Sequence, residues 1–509
     1  MSEINSDNGE ESEVVKRFLA GKDVWNKWAM ETLEKKDNSS IWIRSAEIDF
    51  RNTTIGKSVV DFSEYIFPGN TIFATNVFYE NVTFKKAIFH GETFFEGAEF
   101  MKNTNFDEAV FKSTAWFSDP PAKLGHVTSN TDFFCKFRKR SSFNETRFEG
   151  EAWFSNVFFD SDIQILNSLF SGWARFDDIK CQSSMQLDGT KFCERTGDSI
   201  HGKPGQGGVW FTGARYTGQA WFSDTQFEDD VSFQGAVFDN DAIFQRTIFK
   251  KQAIFSGVLS KRVFTLSGAN FGIVPIFVQT HFDEAPVFDD VEINDKRAGN
   301  KKSITYLARW RALRRLAIQG QDNEKEREYF SGELWSLSPR NIRYWFGVAY
   351  WLFSRHGRSV LWPVFWWIIL TTLCFFIYIF ESPEFLNNPK KTHLLSSFSS
   401  HCYNNNGVTS EETSSDMIGF DSLSTTLGRE AINLALRNSF IEIGRGSDVE
   451  ALTYSCLYGV SSVKNSSGHI EYIPKKPYVV LWVVALQRIL AALFIFLFGA
   501  AVRNILRVK

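Results

Sequence analysis

Residues 87–117 read AIFHGETFFEGAEFMKNTNFDEAVFKSTAWF. Phe89, Phe95, Phe100, Phe106, Phe111 and Phe117 follow one another at steps of 6, 5, 6, 5 and 6. A helix face returns every three, four or seven residues and a strand face every two, so neither period explains the beat. A fixed period of this kind marks an internal repeat. Extended outward, the beat runs from Phe62 to Phe117, resumes from Phe143 to Phe192, and resumes again from Phe211 to Phe288. Of 36 beat positions 30 are Phe; the exceptions are Ile165, Cys181, Leu187, Tyr216, Ser260 and Leu266. Two places before the beat, Ala, Thr, Val or Ser occupies 28 of the 36 positions, which makes chance an untenable origin.

One large and one small apolar group per five or six residues suits a short extended segment followed by a tight corner. Side chains alternate along a strand, so the small residue shares the face of the ring two places on. It must be small because rings of neighbouring coils already fill the interior. The pattern predicts a solenoid with four sides to a coil, its rings pointing inward, among them Phe222, Phe227, Phe233, Phe238, Phe244 and Phe249. Thirty-six sides then give nine coils, a rod of roughly 45 Å at the ~4.8 Å spacing of strands. Two interruptions, SDPPAKLGHVTSNTD (118–132) and CERTGDSIHGKPGQGGV (193–209), read as loops extruded from a corner. Insertions on repeat arrays often sit on a binding face, although most are plain surface loops.

The flanks differ from the repeat. EVVKRFLAGKDVWNKWAMETLEKK (13–36) reads as a capping helix with Phe18, Val24, Trp25, Trp28 and Leu33 available for burial, within a helical cap over 1–45. Residues 303–337 read as a helical hairpin cap, with Leu307, Trp310, Leu313 and Leu316 on one stripe. Then SVLWPVFWWIILTTLCFFIYIF (359–380) supplies 22 uncharged residues, enough to cross a bilayer core. PYVVLWVVALQRILAALFIFLFGAAV (477–502) is a second span, interrupted by Gln487 and Arg488. The aromatic stretch 340–358 suits a helix lying in the interface. Arg340, Arg343, Arg355 and Arg358 before the first span, and Arg503, Arg507 and Lys509 after the second, predict both termini in the cytoplasm and 381–476 outside. No apolar signal-peptide core opens the chain.

The repeat resembles the pentapeptide-repeat family in its Phe-centred form, over about 46–291. That resemblance implies a right-handed quadrilateral β-helix. The flanking stretches GKDVWNKW, ARWRALRRLA, HGRSVLWPVFWW, AINLALRNSF and LQRILAALFIFLFGAAVRNILRVK are similar to those of bacterial pentapeptide-repeat proteins with a two-span membrane module. The expected setting is therefore the bacterial inner membrane, crossed twice. Such a likeness says much about fold and little about function.

Enzymatic signatures do not emerge. RNTTIGKS (51–58) has Arg51 where a phosphate loop needs Gly, and GKPGQGG (202–208) reads as a flexible loop. The eight His are scattered and the six Cys form no CxxC pair, so no metal or other cofactor is implied. Cys402 and Cys456, the only two in the external segment, are the candidate disulfide, because the periplasm permits such bonds. Arg488 deep in a span is costly, and three readings stay open: snorkelling or pairing with an external acid, lining a path between protomers, or a misplaced span boundary. SLSTTLGREAINLALRNSFIEIG (422–444) has the placement of a pore helix between two spans, without the TVGYG filter of potassium channels. The leading functional expectation is a non-enzymatic, membrane-anchored scaffold that presents its rod to a protein partner. The alternatives are an oligomeric pore controlled by the rod and, by analogy with soluble relatives, a DNA mimic that binds gyrase. Residues 46–291 carry a net charge of −9, which suits mimicry, but Lys136, Arg138, Lys139 and Arg140 interrupt it. The lipid bilayer, an unidentified protein and a second copy of the chain are the expected partners; nucleic acid is disfavoured.

Overall fold

The structure is a computed structural model that describes residues 4–6, 13–37, 40–51, 53–55, 60–118, 134–193, 208–295, 304–357, 359–382, 426–440, 453–455, 457–464 and 470–506. Two compact units divide the chain, Met1–Ser338 and Pro339–Lys509.

The first unit is a four-sheeted parallel β-solenoid. In the order the chain visits them, face one runs from Ile48–Asp49 to Ala253–Ile254, face two from Val77–Phe78 to His281–Phe282, face three from Val60–Asp61 to Phe264–Thr265, and face four from Ile66–Phe67 to Glu292–Ile293. The faces hold nine, nine, nine and ten strands. Each strand pairs in parallel with the one a coil later, as Thr71 with Thr93 and Thr93 with Ala115. Nine coils was one too few, since face four alone has ten levels. The beat omitted Phe50, which stacks on Phe73, and Phe137, which stacks on Phe100 and Phe159. It also stopped at Phe288, short of the last strand at Glu292–Ile293.

Each side reads inward, outward, inward: Thr93 and Phe95 are fully buried around Phe94, and Ala98 and Phe100 around Glu99. Phe89, Phe106, Phe111, Phe117, Phe222, Phe227, Phe233, Phe238 and Phe244 are likewise wholly buried, and Phe249 is 1% exposed. Along face one the rings form an unbroken column of ten, Phe50, Phe73, Phe95, Phe117, Phe154, Phe176, Phe211, Phe233, Phe255 and Phe277, at centroid spacings of 4.4–5.2 Å. The six exceptions all point inward, and all fall on faces two and three. Where Ser260 leaves a ring short on face two, Phe264 occupies a normally small position on face three and sits 5.0 Å from Phe282.

The alternating step has a backbone cause. Among the described residues, the rings of faces one and three are followed by a β-turn whose third residue is left-handed: Glu64, Thr75, Lys86, Gly97 and Glu108 have φ of 59–68°. The closing N–H bonds run from Tyr65 to Phe62, Asn76 to Phe73 and Ala98 to Phe95. This corner makes the five-residue step, and the looser corner after faces two and four makes the six. A left-handed residue with a side chain costs about 1–2 kcal/mol. Its N–H partly offsets that by donating to the next coil, as Glu64 to Lys85 and Glu108 to Asn144.

Helices meet both ends of the solenoid. Of α1 (Glu13–Leu19), α2 (Lys22–Glu34) and α3 (Ser40–Ala46), α1 lays Phe18 on Phe62 and α2 lays Trp25 on Phe67. The Asn26 amide accepts from the Ile66 N–H at 2.9 Å, and Trp25 Nε1 donates to the Ile66 carbonyl at 2.8 Å, so the first strand of face four has no open edge there. Val24 is 52% exposed, contrary to its expected burial; Val15 and Ala29 are buried instead. At the far end come α4 (Ile304–Gln319) and α5 (Asn323–Trp335), with Leu313, Leu316 and Tyr329 buried. Arg309 donates to the Val274 carbonyl, Gln319 to Phe282 and Lys325 to Val291, which gives three carbonyls at that end a partner.

The second unit contains α6 (Ile342–Ser354), α7 (Leu361–Phe380), α8 (Thr426–Ser439), an antiparallel hairpin of Val460–Lys464 and Ile470–Pro474, and α9 (Tyr478–Leu506). Both α7 and α9 are long and apolar enough to cross a membrane, with mean hydropathies of 2.1 and 2.4. Their outer surfaces are apolar, with Leu361, Trp482 and Phe496 at least 70% exposed.

Phe100→Ala and Phe233→Ala should each destabilise the fragment 1–338 by about 3–5 kcal/mol. Exposed Lys102→Ala and Gln234→Ala should stay within about 0.5 kcal/mol, as read by denaturant unfolding. Gly235, at φ 68° with open space around its missing Cβ, should lose about 1 kcal/mol as Gly235→Ala, whereas Gln279→Gly at φ 58° should be neutral or stabilising. Equal effects in either pair would contradict the inward-outward assignment or the turn.

Candidate functional site

Two places combine unusual side chains with unusual geometry, one in each unit. On face one the outward positions carry Phe94, Trp116, Trp153, Arg175 and Trp210 on successive levels. Trp116 and Trp153 stack at 5.1 Å, and the Arg175 guanidinium lies 5.0 Å from the Trp153 ring and 5.2 Å from Trp210. Arg175 also pairs with Asp177 at 2.7 Å, yet burial outweighs that partner and raises the Asp177 pKa. The indole N–H groups of Trp116 and Trp153 donate to Glu92 and Glu151. Both sequence insertions open at this face. One leaves the corner just after Trp116–Phe117, and the other arrives at the corner just before Val209–Trp210. Thus they bracket the first and last indoles of the ladder from opposite corners. Residues 119–133 and 194–207 themselves lie outside the described residues.

The other faces carry charge in compensated form. Arg138 bridges Glu99 and Asp160 at 2.6 and 2.9 Å. Glu228 takes Lys250 and Lys191, with its pKa lowered first by the Lys250 hydrogen bond, and Asp239 takes Lys261 and Arg215. These partners sit on adjacent coils, so the ~4.8 Å rise brings opposite charges together.

The second place is where α8 meets α7 and α9. Gln487 is fully buried. Its Oε1 accepts from the Tyr378 hydroxyl at 2.5 Å, and its Nε2 donates to the Ala435 carbonyl and to Ser439 Oγ, both at 2.7 Å. Trp367 Nε1 donates to the Ser439 carbonyl, and the Thr371 and Ser439 hydroxyls share a 2.8 Å bond. The last carbonyls of a helix have no partner within it; here side chains of both apolar helices reach the last turn of α8. Arg488 Nε donates to Asn438 Oδ1 at 2.9 Å. The sequence singled out Gln487 and Arg488 by their cost in a span, but their partners on α8 carried no sequence signal. Cys402 and Cys456 lie outside the described residues, as do 52 and 56–58 of the weak phosphate-loop match. Among the described residues no group of His, Cys, Asp and Glu could hold a metal ion, and Cys135, Cys181, Cys193 and Cys374 are free thiols.

The family model described as pentapeptide repeats (9 copies) matches two stretches of the chain, residues 77–119 and 211–259. The chain is a pentapeptide-repeat protein. Its repeat continues in the structure well beyond the matched residues, from Ile48 to Ile293. No curated protein and no solved structure matches the chain.

Gln487→Leu should strand the Tyr378 hydroxyl and two acceptors on α8, at about 1–3 kcal/mol for each buried group left unmade. The detergent-purified protein should lose several degrees in the thermal transition of its second unit, while exposed Ile489→Leu should not move it. An unchanged transition in Gln487→Leu would mean that the buried contact is not holding α8.

Proposed function

We propose that this pentapeptide-repeat protein is a non-enzymatic, membrane-held interaction protein whose aromatic face binds a protein partner. One observation carries the reading: both insertions open at the corners of face one, at the first and last Trp of its ladder. Large aromatics and Arg dominate protein interfaces; in this ladder Arg175 and Trp210 are partly exposed and available to a partner, whereas Trp116 and Trp153 are buried and support them. The gyrase reading is less favoured, because Glu99, Asp160, Glu228 and Asp239 are engaged by Arg or Lys of neighbouring coils. A duplex mimic needs carboxylates left open to solvent.

In this reading α7 and α9 cross the bacterial inner membrane, α6 lies in the interface with Trp345 and Phe346 exposed, and both termini are cytoplasmic. Reporter fusions after 358 and 509 should register as cytoplasmic and one near 410 as external; a cytoplasmic signal at 410 would refute it. For the partner, crosslinking and affinity purification from membranes should recover a specific protein that is lost when 119–133 or 194–207 is deleted, or in Trp210→Ala. Retention of that protein in all three variants would overturn face one as the binding face.

A second reading is supported by α8. Helical segments that end inside a bilayer persist only where protein or a water-filled cavity surrounds them. Bounded by two apolar helices and ending against Trp367, Thr371 and Gln487, α8 has that setting. This favours an oligomeric pore built from the two-span module.

A further inference from the structure

Arg488 is the one charged residue between Tyr478 and Arg503 on α9. It stands ten residues from Tyr478 and fifteen from Arg503, about 15 and 22 Å along the axis. With Tyr478 and Arg503 at the two surfaces, either distance exceeds the length of an arginine side chain, and the guanidinium falls short of both headgroup layers. A guanidinium has five N–H donors. Nε uses one on Asn438, and no other hydrogen bond or ion pair holds the group among the described residues. The residue is nevertheless exposed, next to Ile489 at 67%. A charge left facing hydrocarbon at that depth costs several kcal/mol and is found in proteins facing a bundle interior or water.

The sign of the site follows from magnitudes. The C-terminus of α8 contributes roughly half a negative charge, whereas Arg488 contributes a full positive one. The local potential is therefore positive, and rings of Arg or Lys select for anions in pores.

We propose that Arg488 faces a water-filled path between copies of the two-span module, and that this path conducts small inorganic anions. The proposal rests on the pore reading above. Full-length protein in planar bilayers under a tenfold KCl gradient should give currents that reverse on the chloride side of zero. Arg488→Lys should preserve that preference and Arg488→Gln should abolish it. Because Arg488→Gln could also loosen α8, Arg488→Cys provides an independent readout: a negatively charged, water-soluble thiosulfonate should label it at least several-fold faster than a positively charged one. Currents that prefer potassium, or an unchanged chloride preference in Arg488→Gln, would overturn the anion path while leaving a pore in place. Labelling of Arg488→Cys by neither reagent would place the site in lipid and overturn it too. No current from the wild-type protein would overturn the pore reading and this proposal together.

Discussion

Everything in the first unit depends on one repeated contact, a Phe ring lying flat between the rings of the coils before and after it. In the face-one column the centroid spacing stays within 4.4–5.2 Å over ten rings. That is the spacing the parallel backbone bonds impose, so ring stacking and backbone pairing reinforce one register. Each buried Phe adds about 1.5–3 kcal/mol. The same register aligns every outward position with its counterpart a coil away. It therefore stacks Trp116 on Trp153 and sets Glu228 beneath Lys250 without any further design.

The columns also explain where the repeat tolerates change. Face one keeps Phe at every ring position and face four does so up to Phe271, with Ile293 on its last strand, while the other substitutes gather on faces two and three. There, neighbouring positions supply volume in compensation, as Phe264 does near Ser260. Burial raises the pKa of the Cys181 thiol, so at a ring position it is an inert apolar filler rather than a nucleophile.

The solenoid was legible because a ring and a small residue recur at every side, and periodicity of buried positions is what a linear sequence records best. Phe50 and Phe137 escaped because the beat around them is broken: Phe50 precedes a stretch with no ring until Phe62, and Phe137 follows the first insertion. Val24 looked buried by residue type, yet a helix buries only the stripe that meets its neighbour, and Trp25 and Ala29 hold that stripe. The ladder on face one was illegible for a different reason. Trp116, Trp153, Arg175 and Trp210 are separated by unequal distances in sequence, and only the looping-out of the insertions brings them to one register. Similarly, Gln487 was conspicuous as a polar residue in an apolar run, but its contact with Ala435 and Ser439 spans some fifty residues.

Register across an insertion is thus the central claim, since both the continuous rod and the aromatic face follow from it. Coils pair at an offset of 22 residues where nothing intervenes, and across the first insertion the structure pairs Asn105 with Ser142. Adjacent parallel strands bring Cα atoms to about 4.8 Å, inside the range a disulfide bridges. Double substitution Asn105→Cys with Ser142→Cys in the full chain, followed by mild oxidation and peptide mapping, tests that register directly. The account predicts a disulfide between the two. A disulfide instead in Asn105→Cys with Val127→Cys, the register of an uninterrupted repeat, and none at 142, would contradict it.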